Sequence, residues 1–181
     1  MPTYLADYEA EYRRLGVQPF VKAYPWPVLV VTGMTGALGE NTSKSGTMAT
    51  TSNSAMLQVS ALEGRVFPVV KGRNSLPGPV SIGRTSDNDL AIPEYTISTH
   101  HCMIAVVDGE CRLTDMGATN GTWVNDTQLA PRKPYTLKGG ETIRMGRFGL
   151  LFHLPRGFAE YLRQRVETES SNPSAANKKV T

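Results

Sequence analysis

Four short groups of polar residues, spread over residues 82–125, have the types and spacing to hold a phosphate group. Arg84 supplies a guanidinium, Ser98 and Thr99 supply hydroxyls, and Asn120 supplies an amide. Turn residues flank each group, and apolar runs of β-type composition lie between the groups. We therefore expect the four groups to be loops at strand ends that meet at one place.

A phosphorylated side chain carries about −1.5 to −2 charges and three acceptor oxygens, so its receptor needs a fixed cation and several neutral donors. Arg84 follows Gly83 at the end of an apolar run, where its guanidinium could bind two oxygens at once. The Asn120 amide can donate to and accept from a peptide backbone, and Gly121 allows a positive φ. Taken singly each group is a weak signal, because Gly-Arg and Asn-Gly pairs most often mark only strand ends and turns.

The residues that carry these groups read as a series of short strands separated by turns. No segment between the strands has the pattern of a crossover helix, so a parallel sheet is disfavoured and a β-sandwich or barrel is predicted. The predicted strands are 57–62, 65–70, 79–84, 89–92, 101–107, 110–116, 122–125, 135–137, 141–146 and 148–153.

Two glycine-containing turns predict hairpins. Asp108-Gly109 is a type I′ signal that pairs Val107 with Glu110. Gly139-Gly140 or its neighbours are expected to turn the chain before residues 141–146.

The two cysteines are predicted to be buried, small hydrophobic residues in a reducing compartment. The hairpin register places Cys102 and Cys111 on one face but roughly 13 Å apart, too far for a disulfide. Adjacent His101 and Cys102 would point to opposite faces, which disfavours a zinc site. The sequence contains no nucleophile elbow, Walker A loop or dinucleotide fingerprint, so we expect no metal, no cofactor and no catalysis.

Composition divides the chain into a core and its appendages. Residues 3–15 repeat apolar side chains at helical spacing, and Gly16 is a plausible stop. Val28–Thr32 is a β-type run, but the sequence leaves open whether it joins the sandwich. The predicted parts are an N-terminal helix and short strand (1–32), a flexible Gly/Ser/Thr linker (33–56), the β-domain (57–154), a C-terminal helix (155–166) and a disordered tail (167–181).

Charge and hydropathy indicate which partners to expect. The net charge is +3, but residues 57–154 carry ten Lys/Arg and nine Asp/Glu, so the core is close to neutral and a nucleic-acid partner is disfavoured. The longest aliphatic run, Val28–Val31, is too short to cross a bilayer, and no signal peptide is visible. We expect a cytoplasmic protein without a membrane partner.

In this order and spacing, the polar groups resemble the forkhead-associated (FHA) domain, a family that recognises phosphothreonine. The resemblance spans about residues 57–154 and implies an all-β, FHA-like sandwich of about 10–11 short antiparallel strands, with an N-terminal helix and a C-terminal helix. The matching motifs are Gly83-Arg84, Asn88-Asp89-Leu90, Ser98–His101, Leu113-Thr114-Asp115, Thr119–Asn125 and Gly140–Gly146.

The resemblance also implies a role for each residue of the site. Arg84 and Ser98 are expected to be the main phosphate contacts, with Thr99 and Thr119 as lesser donors. Asn120 is expected to hold the ligand main chain. His101 would brace the Ser98 and Asn120 loops, and the Asn88-Asp89 pair would lock the loop after Arg84. The full set of expected structural supports is Gly83, Asn88, Asp89, His101 and Gly121.

Two positions depart from the family pattern or bear on ligand choice. The residue after the serine is often Arg or Lys in the family, and Thr99 removes that cation, so the site would depend more on Arg84. The loop 94–97 should face ligand residues downstream of the phosphothreonine, where Glu94 would disfavour acidic neighbours.

These inferences predict a non-catalytic module that binds phosphothreonine peptides in Ser/Thr kinase signalling, with a kinase or its substrate as partner. The alternative is a phosphate-independent adaptor subunit of a larger complex that docks through its terminal helices. A further hypothesis is that a phosphorylated linker threonine occupies the pocket in cis or bridges two copies in trans, although an inert spacer is the plainer interpretation. The linker threonines are Thr35, Thr42, Thr47, Thr50 and Thr51.

Overall fold

The computed structural model describes residues 3–34, 62–72 and 75–171. Within these ranges the helices are α1 (Leu5–Leu15), α2 (Val17–Ala23) and α3 (Pro155–Ser171). None of the three is long and apolar enough to cross a membrane. The strands of the same ranges are β1 (Val28–Met34), β2 (Val66–Pro68), β3 (Val80–Gly83), β4 (Leu90–Ala91), β5 (Cys102–Val107), β6 (Glu110–Asp115), β7 (Thr122–Val124), β8 (Thr127–Gln128), β9 (Pro134–Leu137), β10 (Thr142–Met145) and β11 (Phe148–His153).

The strands form two sheets that face each other across one apolar core. One sheet has the order β2-β1-β11-β10-β7-β8 and the other has the order β4-β3-β5-β6-β9. Side chains alternate along β5 and β6, so Ile104 and Leu113 are buried while Ala105 and Arg112 face outward. The predicted sandwich is therefore confirmed. One strand pair departs from the predicted antiparallel pattern, because β3 and β4 run parallel.

One predicted hairpin is confirmed and the other is wrong. Val107 pairs with Glu110 across Asp108-Gly109, and both turn residues have positive φ, as a type I′ turn requires. The turn at Gly139-Gly140 instead carries the chain from β9 in one sheet to β10 in the other. Glu141 stabilises this crossing, since its carboxylate accepts the backbone N–H groups of Lys138 and Gly139 at 2.6 and 2.8 Å. A local turn signal does not reveal which sheet the next strand will enter.

The cysteine prediction agrees with the structure. Cys102 faces Asp115 and Cys111 faces Val106 across the β5–β6 hairpin, in the predicted register. Both cysteines are free thiols and are at most 2% exposed. Burial raises the pKa of both thiols, so each behaves as a small apolar group.

The Val28–Thr32 run, whose place the sequence left open, belongs to strand β1 of the sandwich. It lies inside the six-stranded sheet between β2 and β11, with Val28 opposite His153. Leu29 and Val31 belong to the sandwich core, whereas Val28 and Val30 contact the helices on the other face of the sheet. A strand that is covered on both faces needs apolar residues at every position, which explains the unbroken aliphatic run.

The three helices cover the outer face of the six-stranded sheet with a second apolar cluster. Tyr8, Phe20, Phe158 and Leu162 are buried there. The ion pair between buried Glu9 and Arg165, with a contact of 2.6 Å, also links α1 to α3.

The helical bounds differ from the prediction in two ways. Gly16 ends α1 as expected, but α2 begins at the next residue, because a glycine at φ 74° changes the chain direction without needing a loop. Helix α3 runs to Ser171, so residues 167–171 of the predicted tail are helical. The rest of that tail, the linker beyond Met34 and the predicted strand residues 57–61 lie outside the described residues, and the domain boundaries stay a prediction.

The burial of His153 predicts how stability changes with pH. Burial lowers its pKa to about 4, and its ring packs on Tyr161 with centroids 4.7 Å apart. The folded state therefore keeps this ring neutral below the pH at which the unfolded chain binds a proton, near 6.5. As pH falls from about 6.5 to 4, we expect His153 to cost on the order of 2–3 kcal/mol of unfolding free energy.

Urea unfolding at several pH values checks this prediction against a His153→Phe variant, which keeps an apolar ring at the position. The variant should lose less stability than the wild type over the same pH interval. Burial also lowers the pKa of His101, so a smaller loss in the same direction should remain. Equal losses in the two proteins would contradict the assignment to His153.

Candidate functional site

Three loops meet at the end of the five-stranded sheet where β3 and β6 finish and β5 begins. The backbone N–H of Arg84, just after β3, donates to the Ser98 carbonyl at 3.0 Å. The backbone N–H of Thr119, in the loop after β6, donates to the Ser98 hydroxyl oxygen at 3.1 Å. Ser98 therefore joins the Arg84 loop to the Thr119-Asn120 loop, as the spacing of the polar groups suggests.

The Ser98 hydroxyl accepts a hydrogen bond, so its own O–H can still donate to an acceptor. A serine hydroxyl has one O–H and two lone pairs, and Thr119 uses one of the lone pairs. The nearby histidine does not activate this oxygen, since His101 Nδ1 accepts the backbone N–H of Ser98 at 3.0 Å. The arrangement is that of a hydrogen-bond donor held in place rather than of a nucleophile with its base.

His101 is fully buried between two of the loops. Its Nδ1 accepts from Ser98, so its Nε2 carries the proton and donates to the Gly121 carbonyl at 3.1 Å. Burial lowers the pKa of His101, and the hydrogen bond to Gly121 offsets this only in part. The neutral tautomer with its proton on Nε2 satisfies both contacts.

Asn88 and Gly83 bring the Arg84 loop against the Ser98-Thr99 segment that precedes β5. The buried Asn88 amide donates to the carbonyls of Thr85 and Thr99, at 3.0 and 2.7 Å. A Cβ atom on Gly83 would lie 2.1 Å from the Thr99 carbonyl oxygen. Only glycine permits this close approach of the two backbones.

Asp89 was expected to lock the loop after Arg84, but its carboxylate instead binds residues 71–72 and the Ser81 backbone. Its carboxylate accepts the Ser81 and Gly72 backbone N–H groups, at 2.8 and 3.0 Å, and the Lys71 ammonium at 2.7 Å. Burial alone would raise the pKa of Asp89, but hydrogen bonds led by that from Lys71 outweigh burial and hold it well below its usual value. Asp89 thus ties the base of β3 to residues 71–72, and Asn88 is the residue that contacts the loop after Arg84.

Asp115 organises the loop that carries Thr119 and Asn120. Its buried carboxylate accepts the backbone N–H groups of Gly117 and Ala118 and the Thr122 hydroxyl, at 2.7, 3.2 and 2.5 Å. Gly121, within the same turn, has a φ of 67°, which confirms the predicted positive φ.

Thr96 connects the site to the β10–β11 turn, a role that the sequence analysis missed. Its carbonyl accepts the Asn120 side-chain amide at 2.8 Å, and its hydroxyl oxygen accepts the Arg147 backbone N–H at 3.1 Å. A Cβ atom on Gly146 would lie 2.5 Å from the Thr96 hydroxyl oxygen. The Gly146 position of the sequence motif was the available signal, because a required glycine indicates a close neighbour.

Glu94 does not face a ligand as the sequence analysis expected. The side chain is buried and accepts the backbone N–H of Thr96 at 2.8 Å and also the Thr96 hydroxyl. Its second oxygen lies 3.7 Å from the Arg147 guanidinium. The carboxylate therefore shapes the loop from inside, and the predicted repulsion of acidic ligand residues has no basis in this geometry.

The remaining donors of the site face solvent. Arg84, Thr99, Thr119 and Asn120 are exposed. Among the described residues, the Arg84 guanidinium has neither an ion-pair nor a hydrogen-bond partner. Within the same ranges, no three His, Cys, Asp or Glu side chains come together as metal ligands. One unpaired cation surrounded by neutral donors is suited to binding an anion with several oxygens.

The crowding at Gly83 generates a stability prediction. Gly83→Ala would force a methyl group into the Thr99 carbonyl, and we expect it to lower the free energy of unfolding by on the order of 3 kcal/mol. Gly157→Ala is the matched control, since a Cβ atom there meets nothing closer than 4.0 Å and lies in helix α3. Chemical unfolding of both variants measures the difference. A Gly83→Ala protein as stable as the control would contradict the close approach of Gly83 to the Thr99 carbonyl.

Comparison with known proteins agrees with this architecture. Residues 80–146 match the family model of the FHA domain. The chain is 34% identical over 70 residues to the oxoglutarate dehydrogenase inhibitor of Corynebacterium efficiens, and this alignment covers 39% of this chain and 47% of that protein. The chain is 32% identical over 117 residues to the glycogen accumulation regulator GarA of Mycolicibacterium smegmatis, and that alignment covers 64% of this chain and 69% of GarA.

Solved structures include similar chains. The solution structure of an FHA domain from Arabidopsis thaliana aligns with a TM-score of 0.48 at 23% identity, over 71% of this chain and 85% of that one. The chain spans about half the length of the Corynebacterium relative. The family match, and the relation to GarA over two thirds of its length, show that this chain belongs to the FHA-domain family.

Proposed function

We propose that this protein binds phosphothreonine peptides through Arg84, Ser98, Thr99, Thr119 and Asn120, and that it does so without catalysis. The observation that carries the proposal is the joining of three loops at Ser98, which contacts the Arg84 and Thr119 backbones directly. The site therefore presents a guanidinium, hydroxyls and an amide on a braced backbone before any ligand arrives. Such preorganisation lowers the conformational-entropy cost of binding a ligand.

Each group has a distinct part in the proposed complex. The Arg84 guanidinium binds phosphate oxygens in a forked arrangement, and the Ser98 hydroxyl donates to a third oxygen. Thr99 and Thr119 add weaker donors. The Asn120 amide has an oxygen and a second N–H left after its bond to the Thr96 carbonyl, and these hold the ligand main chain.

The relatives support a regulatory setting for this binding. Two of them are named as an inhibitor and as a regulator. We place the protein in cytoplasmic Ser/Thr kinase signalling, with a phosphorylated kinase or kinase substrate as its partner. The adaptor alternative would use the terminal helices, but α1, α2 and α3 bury Tyr8, Phe20 and Phe158 against the sheet.

Removing the Arg84 guanidinium should weaken binding at least tenfold, because charge-assisted hydrogen bonds contribute about 1.5–3 kcal/mol each. Fluorescence anisotropy with Thr, phosphothreonine and phosphoserine versions of a degenerate peptide library measures this for wild type and Arg84→Ala. Arg112→Ala is the control, since Arg112 lies in the same sheet and pairs with Glu110 on the outer face. Equal phosphopeptide affinity in wild type and Arg84→Ala would refute the site. Phosphate-independent capture of a partner would favour the adaptor.

The position of the end of β1 supports a second proposal, in which a phosphorylated linker threonine is itself a ligand. Strand β1 ends at Met34, which pairs with Phe148 beside the Gly146-Arg147 turn. That turn contacts Thr96, which in turn accepts a hydrogen bond from Asn120. The last residue of β1 is thus connected to the site through these contacts. The Gly/Ser/Thr composition of the segment that follows predicts a reach of roughly 25 Å, which would allow a linker threonine to bind in cis.

Kinase treatment tests the linker proposal. Phosphorylated wild type should bind an external phosphothreonine peptide more weakly than untreated protein, by tenfold or so when the cis ligand fills the site. A variant with all five linker threonines changed to Ala keeps the linker length and should show no such loss. Light scattering distinguishes binding in cis from bridging of two copies, which raises the mass. Identical peptide affinity before and after phosphorylation would refute the proposal.

A further inference from the structure

The His100 ring lies between two side chains of the loop that follows Arg84. Its Nδ1 is 3.1 Å from the Asn88 side-chain oxygen, and its Nε2 is 3.3 Å from an Asp87 carboxylate oxygen. His100 directly follows Thr99, so the ring connects the segment before β5 to the exposed side of the Arg84 loop. The proposed function gives no role to this ring.

Both groups that face the ring are hydrogen-bond acceptors. The Asn88 amide nitrogen donates to the Thr85 and Thr99 carbonyls, so the atom that faces His100 is the amide oxygen. Hydrogen bonds led by that from Thr85 lower the pKa of Asp87, so its carboxylate is ionised at neutral pH. A neutral imidazole has one N–H and can donate to one of the two acceptors, whereas an imidazolium can donate to both.

The other titratable and charged groups near the His100 ring have different contacts. Next to it in the segment before β5, His101 turns inward to the Ser98 backbone and the Gly121 carbonyl. On the loop, Asp87 is the charged group that contacts the ring, and Arg84 and Asp89 are the other charged residues. The histidines of the chain are His100, His101 and His153, and burial lowers the pKa of the last two. His100 is the exposed one, and each of its ring nitrogens faces an acceptor.

We propose that His100 is a proton-dependent positioning residue: as an imidazolium it donates to Asp87 and Asn88 together and so holds the Arg84 loop against the Ser98–His101 segment. When the ring loses its proton, one of the two contacts is lost and the loop keeps only its backbone and Asn88 bonds. This inference rests on the proposed function, since the loop that it positions carries the main phosphate contact.

The effect on ligand binding has a defined sign and a modest size. Protonation of His100 strengthens phosphopeptide binding, whereas protonation of the ligand phosphate, with a second pKa near 6, weakens it. The two effects oppose each other, so the informative quantity is the ratio of the dissociation constants of variant and wild type at one pH. The two partners in the ion pair are 61% and 60% exposed, so we expect a ratio of about threefold rather than tenfold.

The first experiment needs no ligand and uses the whole chain. A nitrogen-15 NMR pH titration reports the protons on the His100 ring, and the Asn88 side-chain amide reports the loop. We expect the shift of the Asn88 amide to follow the gain of the second ring proton and to be absent in His100→Gln. An Asn88 amide that responds identically in both proteins would overturn the proposal.

The second experiment measures binding of a phosphothreonine peptide to wild type, His100→Gln and His100→Arg at two pH values, one at which the NMR titration finds two ring protons and one at which it finds a single proton. The ratio for His100→Gln should be about threefold at the first pH and close to one at the second, and the permanent cation of His100→Arg should remove this pH dependence. A ratio that is the same at both pH values would mean a purely structural role and would overturn the proposal. If wild type binds no phosphopeptide while the NMR response persists, the proposed function fails and the loop contact stands.

Discussion

The placement of the site depends on one buried, neutral imidazole. His101 accepts from the Ser98 backbone through one nitrogen and donates to the Gly121 carbonyl through the other, so it joins the loops on either side of it. Each of these backbone groups would lose hydrogen-bond energy if it were buried without a partner. The ring satisfies both at once, so the Ser98 and Asn120 side chains are held on fixed loops at the same end of the sheet.

Around this ring, the polar side chains divide into those that hold the backbone and those that remain available. Asn88 and Asp115 are buried and use their hydrogen-bonding atoms on neighbouring loops. Arg84, Thr99 and Thr119 are exposed on the same loops. The buried side chains set the position of the exposed ones, so the proposed binding surface is made of donors whose backbones are already restrained. A ligand then has to order only the ends of a few side chains.

Sequence reasoning located most of the strands and the loops of the site because local patterns carry that information. The type I′ signal at Asp108-Gly109 predicted the register of β5 and β6, and the series of short strands separated by turns, without crossover helices, indicated the sandwich. Contacts between distant segments were not readable in the same way. Nothing in the local sequence shows that Gly139-Gly140 leads into the other sheet, that Thr96 contacts the Gly146-Arg147 turn, or that Glu94 turns inward. Those features depend on how the two sheets are packed.

The place of β1 in the sheet has a consequence for how the chain folds during synthesis. Val28 pairs with His153, so β1, the first strand of the sandwich to be synthesised, must wait for β11, the last strand in the described part of the chain. Until β11 is available, β1 exposes two apolar faces and an open edge, the features that favour misassembly. Pairings so distant in sequence slow folding, because the intervening chain must be closed into a loop first. The loops of the candidate site, which lie between the two strands in sequence, therefore acquire their final support only when β11 has been made.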